Sequence, residues 1–154
     1  MEGYDYDAAD VLTQFLARHF PERTDRESGV IRDWLTLHVH EYDRVSFSVR
    51  VGEGQTPGAD LPAGVARSVA YSSKKRIDVL AWQGNTPTIV EVKERITPAV
   101  LGQLLTYRQL LLEEQPNVDA PRLVAIGRYS DPDTLRTLSA QGIDVFTYEL
   151  ADSG

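Results

Sequence analysis

Two apolar runs, Ile77-Asp78-Val79-Leu80-Ala81-Trp82 and Thr88-Ile89-Val90-Glu91-Val92-Lys93, are separated only by Gln83-Gly84-Asn85-Thr86-Pro87. Short runs rich in Val, Ile and Trp with a Gly-Asn turn between them read as two strands of a β-hairpin. Charges set inside such strands have to be accommodated, and that requirement constrains both the fold and the chemistry.

The rest of the chain supplies elements to pack around the hairpin. Ala8, Val11, Leu12, Phe15, Leu16 and His19 recur at helical spacing up to Pro21, and Val30, Ile31, Trp34, Leu35 and His38 repeat the pattern in a helix ending near Tyr42. Val45 to Val51 alternates apolar and polar residues as a half-buried strand does. Gly52 to Gly64, with four Gly and two Pro, reads as a loop, and Arg67 to Ser72 as a further strand. Pro98 opens a helix to about Glu114. Leu123 to Ile126 is a short apolar strand, Asp131 caps a helix through Ala140, and Ile143 to Tyr148 is a last strand. The predicted order is α-α-β-β-β-α-β-α-β, an α/β fold with a mixed sheet flanked by helices in one domain spanning 1–154.

Composition excludes several classes. There is no Cys, hence no disulfide, thiolate zinc site, iron–sulfur cluster or cysteine nucleophile. No run approaches the roughly 20 apolar residues of a membrane span, and the acidic start, Met1 to Asp10, lacks the basic and apolar regions of a signal peptide. A cytoplasmic protein is expected. The net charge of −7 argues against a general polyanion binder. Residues 67–108, however, hold 7 basic against 3 acidic groups, while 1–66 hold 6 against 12 and 109–154 hold 3 against 8. One narrow basic surface is expected on a repelling body.

That basic stretch contains the hairpin. In a strand, Glu91 and Lys93 project from one face with Ile89, while Val90 and Val92 take the other. If the hairpin pairs about its turn, Asp78 lies across from the Glu91 strand, and two carboxylates and an ammonium converge. Such a cluster is costly without compensation, and a divalent cation is the usual remedy for two adjacent carboxylates. Oxygen ligands suit Mg²⁺ or Mn²⁺. An ion of that kind polarises a phosphoryl oxygen and acidifies water, while a nearby Lys offsets developing charge. This is the chemistry of phosphodiester hydrolysis.

Asp78, the turn, and Glu91-Val92-Lys93 resemble the signature of the PD-(D/E)xK nuclease superfamily, with Ile77 where the namesake Pro would stand. Gln103-Leu104-Leu105-Thr106-Tyr107 on the following helix resembles the Gln-x-x-x-Tyr motif of its RecB-like branch. The spacing from Asp78 through Tyr107 is similar to the nuclease domain of NucS-type mismatch endonucleases, and the resemblance runs from about Glu27 to Arg128. It implies a restriction-endonuclease-like three-layer core, α-β-β-β-α-β, here with an added N-terminal helix and a C-terminal α-β extension. It also implies a Mg²⁺- or Mn²⁺-dependent deoxyribonuclease in repair, restriction or phage DNA processing. In that reading Asp78, Glu91 and the Val92 carbonyl hold the metal, and Lys93 orients or activates water. Gln103 and Tyr107 steady the site, and Lys74, Lys75, Arg76, Arg95 and Arg108 bind DNA phosphates. The superfamily often adds an acid from the preceding helix; Glu27, Asp33 and Glu41 all qualify, with Glu41 favoured for its closeness to the strand at Val45. A homodimer or a partner protein would supply specificity.

Each residue also has a plainer reading. Asp78 fits a strand edge or a turn cap, and Glu91 with Lys93 fits a surface ion pair worth ~0.2–1 kcal/mol. Gln103 and Tyr107 fit the edge of a core, and Ser72 to Arg76 fits a solvated turn. His38 and His40 lie about 200° apart around a helix and do not chelate one ion. A nuclease-fold scaffold without turnover and an α/β interaction module are the alternatives to an enzyme.

Overall fold

The computed structural model describes residues 2–15, 20–55 and 57–150. Its elements are β1 (Glu2–Asp7), α1 (Ala8–Phe15), α2 (Asp25–His38) with a 3-10 turn at Val39–Glu41, β2 (Arg44–Val51), α3 (Ala63–Ser72), β3 (Lys75–Gln83), β4 (Thr86–Val92), α4 (Ala99–Glu114), β5 (Arg122–Gly127), α5 (Pro132–Ala140) and β6 (Ile143–Thr147). Among the described residues they form a six-stranded mixed sheet in the order β1-β2-β3-β4-β5-β6 with helices on both faces. The pairs through β4 are antiparallel, and β4–β5 and β5–β6 are parallel. The architecture is the expected α/β fold with a central mixed sheet. The expected α-β-β-β-α-β core is present as α2-β2-β3-β4-α4-β5, with α3 inserted after β2.

Several expectations need correction. The predicted strand at Arg67 to Ser72 lies inside helix α3, where Val65 and Val69 stand one turn apart. No α3 residue is buried, so neither period had a core to report. The N-terminal acidic segment forms β1, an edge strand on β2, and its mostly exposed residues carry no core pattern. The second helix starts earlier than its apolar residues do, because Thr24 and Glu27 form a capping box ahead of them. Leu16 and His19 of the first predicted helix lie outside the described residues.

Alternation along β4 and β5 divides the core. Val90, Val92, Val124 and Ile126 pack beneath α1 and α2, whereas Ile89, Leu123 and Ala125 pack beneath α4 and α5. On β2 the alternation breaks: Val45 and Phe47 join the α1–α2 side, but Val49 and Val51 join the α4 side. Between them Ser48 sits at φ 51, a left-handed conformation that turns the strand over. Both sets are therefore buried, where a strand with one wet face was expected. The Ser48 hydroxyl donates to the Pro21 carbonyl at 2.8 Å, drawing the link between α1 and α2 against the sheet.

Candidate active site

The hairpin pairs from Gln83↔Thr86 back to Val79↔Val90 and then opens. The next positions along the two strands are Asp78 and Glu91. Where the ladder stops, the Val92 N–H donates to Asp78 Oδ2 at 2.8 Å, so a side-chain carboxylate takes the place of a strand carbonyl. On β2, Ser48 falls between the residues paired with Val79 and Ile77. Its bond to Pro21 brings the following link over Asp78, and Arg23 Nη1 contacts Asp78 Oδ1. Asp78 is thus held by a main-chain donor on one oxygen and a guanidinium on the other.

Glu91 projects to the α4 side and is 3% exposed. Lys93 Nζ lies 3.4 Å from Glu91 Oε1, its own side chain 43% exposed, so the ammonium stands at the mouth of the site over a buried carboxyl. Glu91 Oε2 has no hydrogen-bond partner among the described residues, and neither has Gln103 Oε1. Burial first, then the neighbouring Asp78 charge, push the Glu91 carboxyl up to about 8 against the pull of Lys93. Burial also raises Asp78, opposed by Arg23 and the Val92 N–H. The Tyr107 hydroxyl is raised by burial and then by the Glu91 and Asp78 charges it faces. Burial thus favours the protonated form of the Glu91 carboxyl.

The structure brings together Asp78, Glu91, the Val92 main chain, Lys93 and Tyr107, with Gln103 one helical turn from Tyr107. Lys75, Gly102, Gln103, Thr106 and Tyr107 line one open cleft. Arg76 Nη1 lies 3.6 Å from Glu22 Oε1, which also binds Arg50 at 2.7 Å. Lys74 is half-buried beside the exposed Lys75, and Arg108 follows Tyr107 on α4. Arg95 has its backbone bridged to Tyr129 and its charge near Asp131.

The preceding-helix acids part company. Glu41 Oε2 lies 2.7 Å from His38 Nδ1 at the far end of α2, and the structure does not bring it to Asp78. Asp33 pairs with Arg128 at 2.5 Å. Glu27 is the acid near the site, 3.5 Å from Arg23 Nη1 and close enough to Asp78 to raise its pKa. The reason is the capping box, which fixes Glu27 in the first turn, whereas Glu41 lies a helix length away, about 20 Å for 14 residues. Sequence reasoning missed Arg23 altogether. No local pattern signals it, because its contact with Asp78 joins residues 55 apart in the chain.

Among the described residues no group of three or more His, Asp or Glu side chains is arranged as a metal site. The donor set that is present, two carboxylates with orphaned oxygens on Glu91 and Gln103, nevertheless suits a hard divalent cation with water completing its shell. A buried acceptor without a donor costs about 1–3 kcal/mol, which such a cation would relieve. The oxygen chemistry fits; zinc, which favours His and Cys ligands, fits poorly.

No family model and no curated protein matches the chain. Among solved structures, it is similar to the crystal structure of a repair endonuclease from Pyrococcus abyssi, with 16% identity, 88% of this chain and 50% of that one covered, and a TM-score of 0.48. It is also similar to the EndoMS–dsDNA2 complex, with 15% identity, 88% and 51% coverage and a TM-score of 0.45. The chain spans about half the length of these structures. No helix among the described residues is long and apolar enough to cross a membrane.

Proposed function

We propose that the protein is a Mg²⁺- or Mn²⁺-dependent deoxyribonuclease of the PD-(D/E)xK type. The observation that carries this reading is the opened end of the β3–β4 hairpin, where Asp78 and a buried, partly orphaned Glu91 lie beside Lys93 and beneath Tyr107. Asp78, Glu91 and the Val92 carbonyl would hold the cation, which when bound would polarise a phosphoryl oxygen and acidify water. Lys93 Nζ, half in solvent, orients the attacking water and offsets charge that develops on the phosphoryl oxygens. Gln103 and Tyr107 fix the carboxyl side of the cleft. Lys75, exposed in the same cleft, takes a DNA phosphate as a positioning contact without base readout. Specificity would then come from a second copy, a partner protein or the shape of the DNA.

A panel of labelled single-stranded, duplex, mismatched and branched DNA with Mn²⁺ tests the reading. Wild type is expected to cut at least one substrate, and Lys93→Ala and Asp78→Asn to lose at least ~100-fold in rate, as removal of a charge-stabilising group does. If Lys93→Ala cuts as well as wild type, the assignment fails. Binding of the same DNA without cleavage by any form would favour a nuclease-fold scaffold instead. The engagement of Asp78 by Arg23 is compatible with that alternative.

A further inference from the structure

Arg23 stands where a cation would. Its side chain is 2% exposed; Nη1 contacts Asp78 Oδ1 and lies 3.5 Å from Glu27 Oε2. Nε and Nη2 are buried with no acceptor among the described residues. A guanidinium kept for packing alone normally spends its donors in pairs, since each orphaned N–H carries a desolvation cost. Arg23 spends one nitrogen and straddles two carboxylates.

We infer that Arg23 is a built-in counter-cation of the site: it holds Asp78 in place in the metal-free protein, and it releases Asp78 Oδ1 to a divalent cation by shifting onto Glu27. This rests on the reading of Asp78 and Glu91 as a metal site. Two cations cannot share one carboxylate oxygen in a buried setting, because like charges a few ångströms apart repel strongly where water is excluded. Glu27 offers the second resting place, being only 31% exposed and already at the edge of the guanidinium. The shift pairs nitrogens that are now orphaned. It also keeps the positive charge inside the site, where it balances Glu27 after Asp78 has been taken by the metal. Ser48 and Pro21 anchor the link two residues before Arg23, so the side chain moves without its backbone. Arg23 is in this sense a positioning residue that sets metal affinity.

The test needs no DNA. In wild type, titration with Mg²⁺ is followed on the Arg23 Nε–H resonance by NMR. The resonance is expected to move with the same half-saturation as the Val92 amide; a Val92 shift with Arg23 unmoved overturns the inference. Calorimetry with Mn²⁺ supplies the second readout, with Asp78→Asn as the non-binding control. Arg23→Met is expected to bind Mn²⁺ about tenfold more tightly than wild type, the size of an ordinary coupling between two sites. Equal or weaker binding overturns the role of Arg23 and leaves the metal reading in place. No Mn²⁺ binding by either form removes both. A protein that binds Mn²⁺ in this way but cuts no DNA would fail the nuclease reading alone.

Discussion

Two buried arginines tie α2 to the sheet, and they do so differently. Arg128 Nη1 bonds Asp33 at 2.5 Å and the Tyr148 carbonyl at 2.7 Å, joining α2, the end of β5 and the end of β6. It approaches so closely that a Cβ on Gly29 would come within 2.9 Å of Nη2. Arg23 faces Asp78 at the same end of the sheet with two nitrogens unpaired among the described residues, against a carboxylate whose side chain is 6% exposed, where Asp33 is 47% exposed. Equal chemistry thus serves two ends: a clip whose acid retains water, and a cation enclosed with an acid that has none. A buried pair is weak evidence for stability, but removing one partner is costly in proportion to how thoroughly the other is desolvated.

The contrast predicts unequal losses. Arg23→Met should cost about 4 kcal/mol in EDTA, because Asp78 is left buried and unpaired. Mn²⁺ should recover most of it, as read by urea unfolding with and without the ion. Recovery of Arg128→Met by the same ion would erase the distinction between the two arginines.

The next effect is pH. The Glu91 carboxyl lies above its ordinary 4.5, at about 8. The folded state therefore holds this proton more tightly than the unfolded chain, and its contribution is full below 4.5 and lost as pH rises through about 8. Metal-free protein should lose about 5 kcal/mol across that window. Glu91→Gln should flatten the dependence. Because a cation must expel the proton, Mn²⁺ binding at neutral pH should release close to one proton, measurable by calorimetry in buffers of different ionisation enthalpy.

Arg128→Met is expected to cost about 2 kcal/mol, less than Arg23→Met because Asp33 rehydrates. The smallest effect belongs to Glu41→Ala. With its carboxylate on His38 at the far end of α2, Mn²⁺ affinity should stay unchanged and stability should fall within about 0.5 kcal/mol. A loss of metal binding would show that α2 presents its acids in another way.

Legibility followed how local each signal was. Leu104, Tyr107 and Leu111 on α4, the Asp131 cap of α5, and Gly84 at the hairpin turn with φ 58 each carry their reason within a few residues, and those elements stand where they were expected. The strand expected at Arg67 to Ser72 failed because α3 has no fully buried residue, so its apolar residues answer to no core. β1 was missed because an edge strand needs only a neighbour's free hydrogen bonds, and its side chains need follow no pattern.

The site divides along the same line. Strand alternation by itself puts Glu91 and Lys93 on one face, and helical spacing puts Gln103 four residues before Tyr107. Those relations are properties of the backbone period and hold wherever the element packs. Which acid of α2 reaches Asp78, and that an arginine would stand against it, depended on the left-handed turn at Ser48 and its bond to Pro21. That contact spans 27 residues, and the Arg23–Asp78 pair it supports spans 55. Contacts at such separations are selected by the packing of the whole sheet, because no local period links the residues that make them.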